Sequence, residues 1–441
     1  MSTIDASFPA LSLKPPSATL GGIALKTFHA ILNSPATLFI ATLTAMLFRP
    51  PDLKAFPIDR IAFLALVGVF GLRVCLRREQ LHKYSITLPM LALMILALIG
   101  VLKENDSLQA WSLVAAKWIV PFALFHISAS VFCDRSSLRK LEVFSIAVLS
   151  YLTFTSVLFV FDAKWLIFPR FILDESIGIH ADRARGPLLQ AVANGVCLNI
   201  LGLVALDCFR RRVLRGFLAL LLFVSAPLAL LATRTRAVWL SAAISAVLVS
   251  IFARDARLRR PALVLCLVAV ISSCGVLLFR GNDGSFSARL LDRSPVEFRL
   301  DMYRAGWQMF TAKPLAGWGS EANIQPEMER RISSFHPERY LVHNTYLELA
   351  IERGMIGIAL YAWMFACLFR LSRKVAWSSN NAGHFLDANF RRLWPVILVV
   401  YLLNASAVVM NYQFVNGYVF TLAGILSAQS ARTSAMNVLP G

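Results

Sequence analysis

The sequence predicts an all-α polytopic membrane protein with about 12 transmembrane helices. Three observations carry this reading. Of 441 residues, 57% are hydrophobic and only 16% are charged, whereas soluble domains are about a quarter charged. The mean hydropathy is +0.64. The apolar residues fall in separate runs, each about long enough to cross a hydrocarbon core of roughly 30 Å. The formal net charge of +19 would suggest nucleic acid in a soluble protein. Here the basic residues sit in short runs between apolar segments, the pattern that sets membrane orientation. Membrane lipids, and no nucleic acid, are therefore the expected surroundings.

The expected spans are roughly 29–48, 58–75, 85–102, 111–132, 141–161, 187–207, 213–232, 237–253, 261–279, 344–369, 393–411 and 413–430. Residues 1–28 carry Pro9, Pro15 and Pro16 and no apolar core of signal type, so they read as a cytoplasmic tail. Residues 29–430 form one transmembrane domain, which contains a large loop at 280–343, and 431–441 form a second cytoplasmic tail. Alternate loops are rich in Lys and Arg, as at Arg77, Arg78 and Lys83, or Arg210, Arg211, Arg212 and Arg215. The positive-inside rule makes those loops cytoplasmic and leaves both termini there. The loops at 162–186, 233–236 and 280–343 then lie together on the opposite face.

The long loop reads as folded. Ser294-Pro295-Val296-Glu297 is a capping box with proline at the first helical position. Phe298, Met302, Ala305, Met309 and Phe310 follow on one helical face. An amphipathic helix is expected there, on the membrane surface or over a cavity, and Gly317-Trp318-Gly319 follows as a turn.

The loop ends at Val342-His343-Asn344-Thr345-Tyr346-Leu347, where the apolar pattern resumes. Asn344 is a plausible N-cap, because its side chain can accept from free N–H groups of the first turn. His343 places a titratable imidazole at the membrane–water boundary, where it is suited to proton transfer, although an interfacial polar residue fits the same position. Glu348 is the next candidate base. Gly354 and Gly357 would let another helix approach.

Arg183, Arg185, Arg234 and Arg236 are concentrated on the same face, against the positive-inside trend. Guanidinium forks match phosphate oxygens and stay charged at any relevant pH, so these residues suit a diphosphate; snorkelling to lipid headgroups is the alternative. Lys117 lies within a span and either faces a cavity or snorkels. Glu104 and Asp106 form a small acidic pair that could bind a metal ion, although one E-x-D in a loop is a weak signal, and His336, Glu338 and Arg339 read as solvated residues of the large loop. The seven cysteines show no metal-ligand spacing. Neither a metal nor a cofactor is expected.

Four pieces of the chain, residues 183–194, 235–239, 313–319 and 343–357, resemble, in order, elements of the O-antigen ligase and O-antigen polymerase superfamily of bacterial inner-membrane glycosyltransferases. Arg183-Ala184-Arg185-Gly186-Pro187 followed by Asn194 resembles an R-x-x-G … N element. Thr235-Arg236-Ala237-Val238-Trp239 resembles an S-R-[GA]-x-[WL] turn. Lys313-Pro314-Leu315-Ala316-Gly317-Trp318-Gly319 resembles R-P-L-x-G-x-G. His343 to Leu347 with Gly354-Met355-Ile356-Gly357 resembles the H-N-x-[YF]-L … G-x-x-G signature. The resemblance covers about residues 180–360. The chain departs in lacking a proline before Asn194 and in having Thr235 for serine.

The resemblance implies a GT-C-like, lipid-linked sugar transferase architecture with its catalytic cavity open to the periplasm. It implies a glycan donor on undecaprenyl diphosphate and metal-independent, inverting transfer. In ligases, the preferred class, the acceptor is a lipid A–core sugar; in polymerases it is another lipid-linked repeat. His343 would be the catalytic base, and Arg185 and Arg236 would bind the donor diphosphate. Arg183, Arg234, Asn194, Asn344 and Tyr346 would stand nearby. A transporter or flippase is the competing class. Against it stand the folded outer loop and the lack of detectable repeat halves.

Overall fold

The computed structural model describes residues 34–49, 56–103, 108–178, 180–253, 255–265, 267, 294–319, 321–332, 342–373, 385–387 and 389–436. Among these residues the protein is helical, with no strand. The first helices are α1 (Pro35–Phe48), α2 (Ile58–Cys75), α3 (Thr87–Lys103) and α4 (Leu108–Val114). A π turn at Ala115–Ile119 joins α4 to α5 (Val120–Val131). Then come α6 (Arg135–Val160), α7 (Ala191–Arg210), α8 (Gly216–Ala232) and α9 (Arg236–Phe252). The last group is α10 (Ser294–Ala312), α11 (Glu321–Glu329), α12 (Thr345–Arg373), α13 (Phe390–Ala405) and α14 (Gln413–Met436).

Among the described residues, four stretches are long and apolar enough to cross a membrane: Ala110–Val131, Arg135–Val160, Ala191–Arg210 and Thr345–Ser372. Shorter apolar helices lie at Pro35–Phe48, Thr87–Leu102, Gly216–Ala232 and Arg236–Phe252. This is a helical membrane protein, but the structure does not by itself support a count of about twelve spans. The span expected at 261–279 falls largely outside the described residues.

Local chemistry moves several expected boundaries. α6 starts at Arg135, six residues before the apolar run, because the Asp134 carboxylate caps it by accepting from Ser137 N at 2.9 Å. α14 continues through Met436, past the expected end at 430.

α7 is the central helix, with 83% of its apolar window buried. Polar side chains link it to α9 and α9 to α13: Ser245 Oγ of α9 donates to Asn199 Oδ1 of α7 at 3.1 Å, and Asn404 Nδ2 of α13 donates to Ser241 Oγ of α9 at 2.9 Å. Such contacts serve as glue where lipid supplies no hydrophobic contrast between helices.

At the far end of α7 the basic residues do more than set orientation. Arg210 Nη2 lies 2.7 Å from both Asp207 Oδ1 and Asp387 Oδ1, and Arg211 Nε lies 2.8 Å from Asp207 Oδ2. Arg211 also pairs with Glu142 of α6. The carboxylates are almost fully buried, so each depends on its guanidinium partner.

α10 forms where the capping box places it. Its Met302, Ala305 and Met309 are buried, and Phe298 and Phe310 are half-buried. That face does not lie on the membrane surface. It packs on Ile324 and Met328 of α11, and on Val342 and Ile351 beside the start of α12. This segment is thus built onto the turn that carries His343.

Candidate active site

His343 sits in a half-buried turn with a φ of 49°, a left-handed conformation uncommon for a residue with a side chain. The next residue starts the helix as expected. Asn344 Oδ1 accepts from Tyr346 N at 2.9 Å and Leu347 N at 3.2 Å. Burial, then the charges of Arg299 and His180, hold the His343 imidazole below its ordinary value. A depressed value favours the neutral ring, the form that accepts a proton. The arginine responsible is Arg299 of α10, not Arg185 or Arg236.

The two glycine motifs of the sequence form one structure. α12 is interrupted at Gly354, with φ 60° and ψ −157°. The interruption frees backbone groups that the loop at 314–319 satisfies. Trp318 N donates to Ile351 O at 2.8 Å and Gly319 N to Glu352 O at 3.0 Å, while Met355 N donates to Pro314 O at 2.8 Å. A Cβ on Gly354 would lie 2.3 Å from Leu315 O, and one on Gly317 would lie 2.5 Å from the Glu352 carbonyl carbon. Gly354 thus does not serve helix–helix approach, as expected from sequence; it breaks the helix. Gly354→Ala is expected to lower the unfolding midpoint in detergent, since a side chain in this glycine-only backbone region adds about 1–3 kcal/mol of strain to a clash between two backbones. An unchanged midpoint would mean that the loop is not seated on the break.

The loop at 180–187 is held by two residues that the sequence placed near the donor. Arg185 is fully buried. Its Nε donates to Ile172 O at 2.9 Å and its Nη1 to Ile177 O at 2.6 Å, and Nη2 donates to Asp174 O. This guanidinium closes the 172–185 loop on itself. These three donors point at backbone carbonyls, out of solvent, where the sequence leads one to expect a diphosphate. Asn194 is also buried, and its Nδ2 donates to Ala184 O at 2.8 Å and Ser156 Oγ at 3.0 Å. It braces the loop from α7 rather than facing a ligand. Tyr346 is likewise a packing residue, its hydroxyl donating to Leu402 O at 2.8 Å.

Arg185→Ala is therefore expected to lose activity by loosening the loop, since each buried carbonyl left without a donor costs about 1–3 kcal/mol. Limited proteolysis within 172–185 should rise in step with the loss. Lost activity with unchanged proteolysis would restore Arg185 to direct substrate binding.

The braced loop presents other cations. Ala184 N donates to Ala232 O at 3.1 Å, which docks the loop against the 233–235 turn. There Asp182 lies 3.9 Å from both Arg183 Nε and Arg234 Nη1. Arg236 opens α9 and is exposed. Trp239 Nε1 fastens the turn by donating to Leu230 O at 2.9 Å. Thr235, at the N-cap, makes no side-chain cap to the helix; its hydroxyl donates to Thr233 O at 2.9 Å instead. A 17-residue helix thus begins uncapped by its own N-cap side chain, with Arg234 and Arg236 flanking it. That is an anion-binding arrangement.

Three features escaped the sequence reading. His180 and Arg299 act electrostatically on His343, and Lys117 pairs with Glu348. The pairing could have been anticipated from Glu348 and Glu352, which stand four apart on one helix face. His180 and Arg299 carry no such signal. Glu104, Asp106, His336, Glu338 and Arg339 lie outside the described residues. Among the described residues, no group of three or more His, Cys, Asp or Glu side chains could hold a metal ion.

Residues 217–362 match the family model described as O-antigen ligase. The match spans α8 to the first half of α12. It includes the arginine turn, the 313–319 loop, His343 and the Gly354 break. No curated protein matches the chain.

Proposed function

We propose, from the match of residues 217–362 to the O-antigen ligase family model, that the chain belongs to that superfamily and is a periplasm-facing glycosyltransferase of the bacterial inner membrane. Members are glycosyltransferase-like enzymes, and the family implies lipid-linked glycan substrates. The proposed reaction moves a glycan from undecaprenyl diphosphate to a lipid A–core sugar, within a GT-C-like domain of about twelve spans. The observation that carries this reading is that the arginine turn at 234–236 and His343 both fall in the stretch that matches the family model, with His180 of the 180–187 loop near enough to act on the His343 imidazole.

His343 takes the proton from the acceptor hydroxyl as that oxygen attacks the anomeric carbon and the carbon–diphosphate bond breaks. Arg236 and the N-terminus of α9 bind the diphosphate and stabilise the charge that develops as it leaves. Arg234 and Arg183 supply further positive charge at the rim. Arg185 and Asn194 support this site from behind. With arginines neutralising the diphosphate, transfer is expected to proceed unchanged in excess EDTA; inhibition reversed by a divalent ion would move the chemistry toward Glu104 and Asp106.

The glycolipids of a deletion strain test the acceptor class. Loss of all polymer on lipid A–core, with accumulation of long lipid-linked chains, is the expected ligase pattern. Capping of the core by a single repeat would instead assign the protein as a polymerase acting on lipid-linked repeats.

A further inference from the structure

Below His343, the first turns of α12 meet an ionic contact inside the bundle. Lys117 Nζ lies 2.8 Å from Glu348 Oε2 and 3.7 Å from Glu352 Oε1. Its side chain is 11% exposed, and those of the two glutamates are 21% and 17% exposed. Both carboxylates precede the break at Gly354, so they belong to the short helical piece that begins next to His343. Lys117 itself sits in the π turn Ala115–Ile119, a distortion that recurs at functional sites. These side chains line a small cavity shared with Thr345, Tyr361 and Tyr401. The neighbouring cation, Arg353, turns away toward α3, where its Nη2 donates to Ala97 O at 3.4 Å.

The same π turn holds the same helical piece by a second route. Thr345 Oγ1 donates to Val408 O at 2.8 Å and accepts from Met410 N at 2.9 Å. Asn416 Nδ2 donates to Met410 O at 3.0 Å and to Ala116 O, in the π turn, at 3.2 Å. Tyr401 donates to Asn416 Oδ1 at 2.8 Å and so orients that amide. One end of this chain is Thr345, two residues from His343; the other is Ala116, adjacent to Lys117. The break at Gly354 interrupts α12, and the piece before it is also held by the 314–319 loop, by α10 packed on Leu347 and Ile351, and by the Tyr346 hydroxyl on Leu402 O.

We propose that Lys117 is a positioning residue for His343. By clamping Glu348 and Glu352 to the π turn, it fixes the direction in which the first turn of α12 presents the imidazole. This rests on the reading of His343 as the base. Its physical warrant is that displacing a reacting group by about 1 Å can cost on the order of 10²-fold in rate. Loss of the ammonium would also leave two carboxylates facing one another without their shared partner.

The test uses the full-length protein in detergent, with steady-state transfer kinetics and amide hydrogen exchange measured on the same samples. In Lys117→Met, kcat is expected to fall by about 10²-fold with the donor KM little changed. Amides in 343–350 should exchange faster, while those after Gly354 keep their wild-type rates. Lys117→Arg should recover most of the loss, because it restores the charge. Unchanged exchange at 343–350, or a wild-type kcat in folded Lys117→Met, would overturn the proposal. If Lys117→Met does not fold, Glu352→Gln removes the longer contact and should show the same pattern more weakly; wild-type rate and exchange there would overturn it equally. His343→Gln run alongside separates the two ideas. Full activity in that variant removes the base, whereas the exchange result judges the clamp whatever the chemistry.

Discussion

His343→Gln is expected to lower the transfer rate by about 10²–10⁴-fold, the usual contribution of a general base, while the protein still binds its lipid-linked donor. Glutamine preserves a hydrogen bond but cannot take up the acceptor proton at neutral pH. Donor binding should survive because the diphosphate is assigned to the arginine turn and not to the imidazole. The pH profile follows from the direction of the His343 shift. Burial, Arg299 and His180 all disfavour the protonated ring. Its neutral form therefore persists below the ordinary imidazole value of about 6.5, and activity should fall only at more acid pH. Arg299→Ala removes one of those charges and should move the acid limb upward. A stationary limb in that variant would detach His343 from the observed titration.

Arg236→Ala is expected to lower kcat/KM by roughly 10- to 150-fold, the loss of a charge-assisted contact to the diphosphate. Lysine at that position should recover only part, since it supplies a point charge without the planar fork. Arg183→Ala and Arg234→Ala should be milder, because both already share Asp182. Donor titration of each variant at low and moderate ionic strength would rank them. Full activity in Arg236→Ala would take the turn out of the site.

The parts of the structure visible in the sequence were those with a local physical signature. The capping box at Ser294 and the face of Met302, Ala305 and Met309 set α10 from short-range rules alone. Asn344 capped α12 for the same reason. What the sequence left ambiguous depends on contacts between distant segments. Gly354 looked like a helix-packing glycine, and only its pairing with Pro314 and Leu315 shows a helix break. Arg185 and Arg183 are equivalent as letters in a motif. One is buried against three carbonyls of its own loop, the other is half-buried beside Asp182, and no periodicity distinguishes them. Lys117 was ambiguous between lipid headgroups and a cavity until Glu348 and Glu352 were placed across from it. The donor role accordingly shifts from Arg185 toward the turn at 234–236, while His343 keeps its place at the centre of the proposal.

The most direct measurement is glycan transfer by the purified protein in detergent, where no gradient exists, with wild type and His343→Gln assayed together. A polyprenyl-diphosphate-linked glycan and a lipid A–core acceptor are supplied, and the products are resolved by mass. The account predicts a new glycosidic bond and released polyprenyl diphosphate with wild type, and bound donor without product for His343→Gln. Intact donor and acceptor with the wild-type protein, under conditions where donor binding is demonstrated, would contradict it.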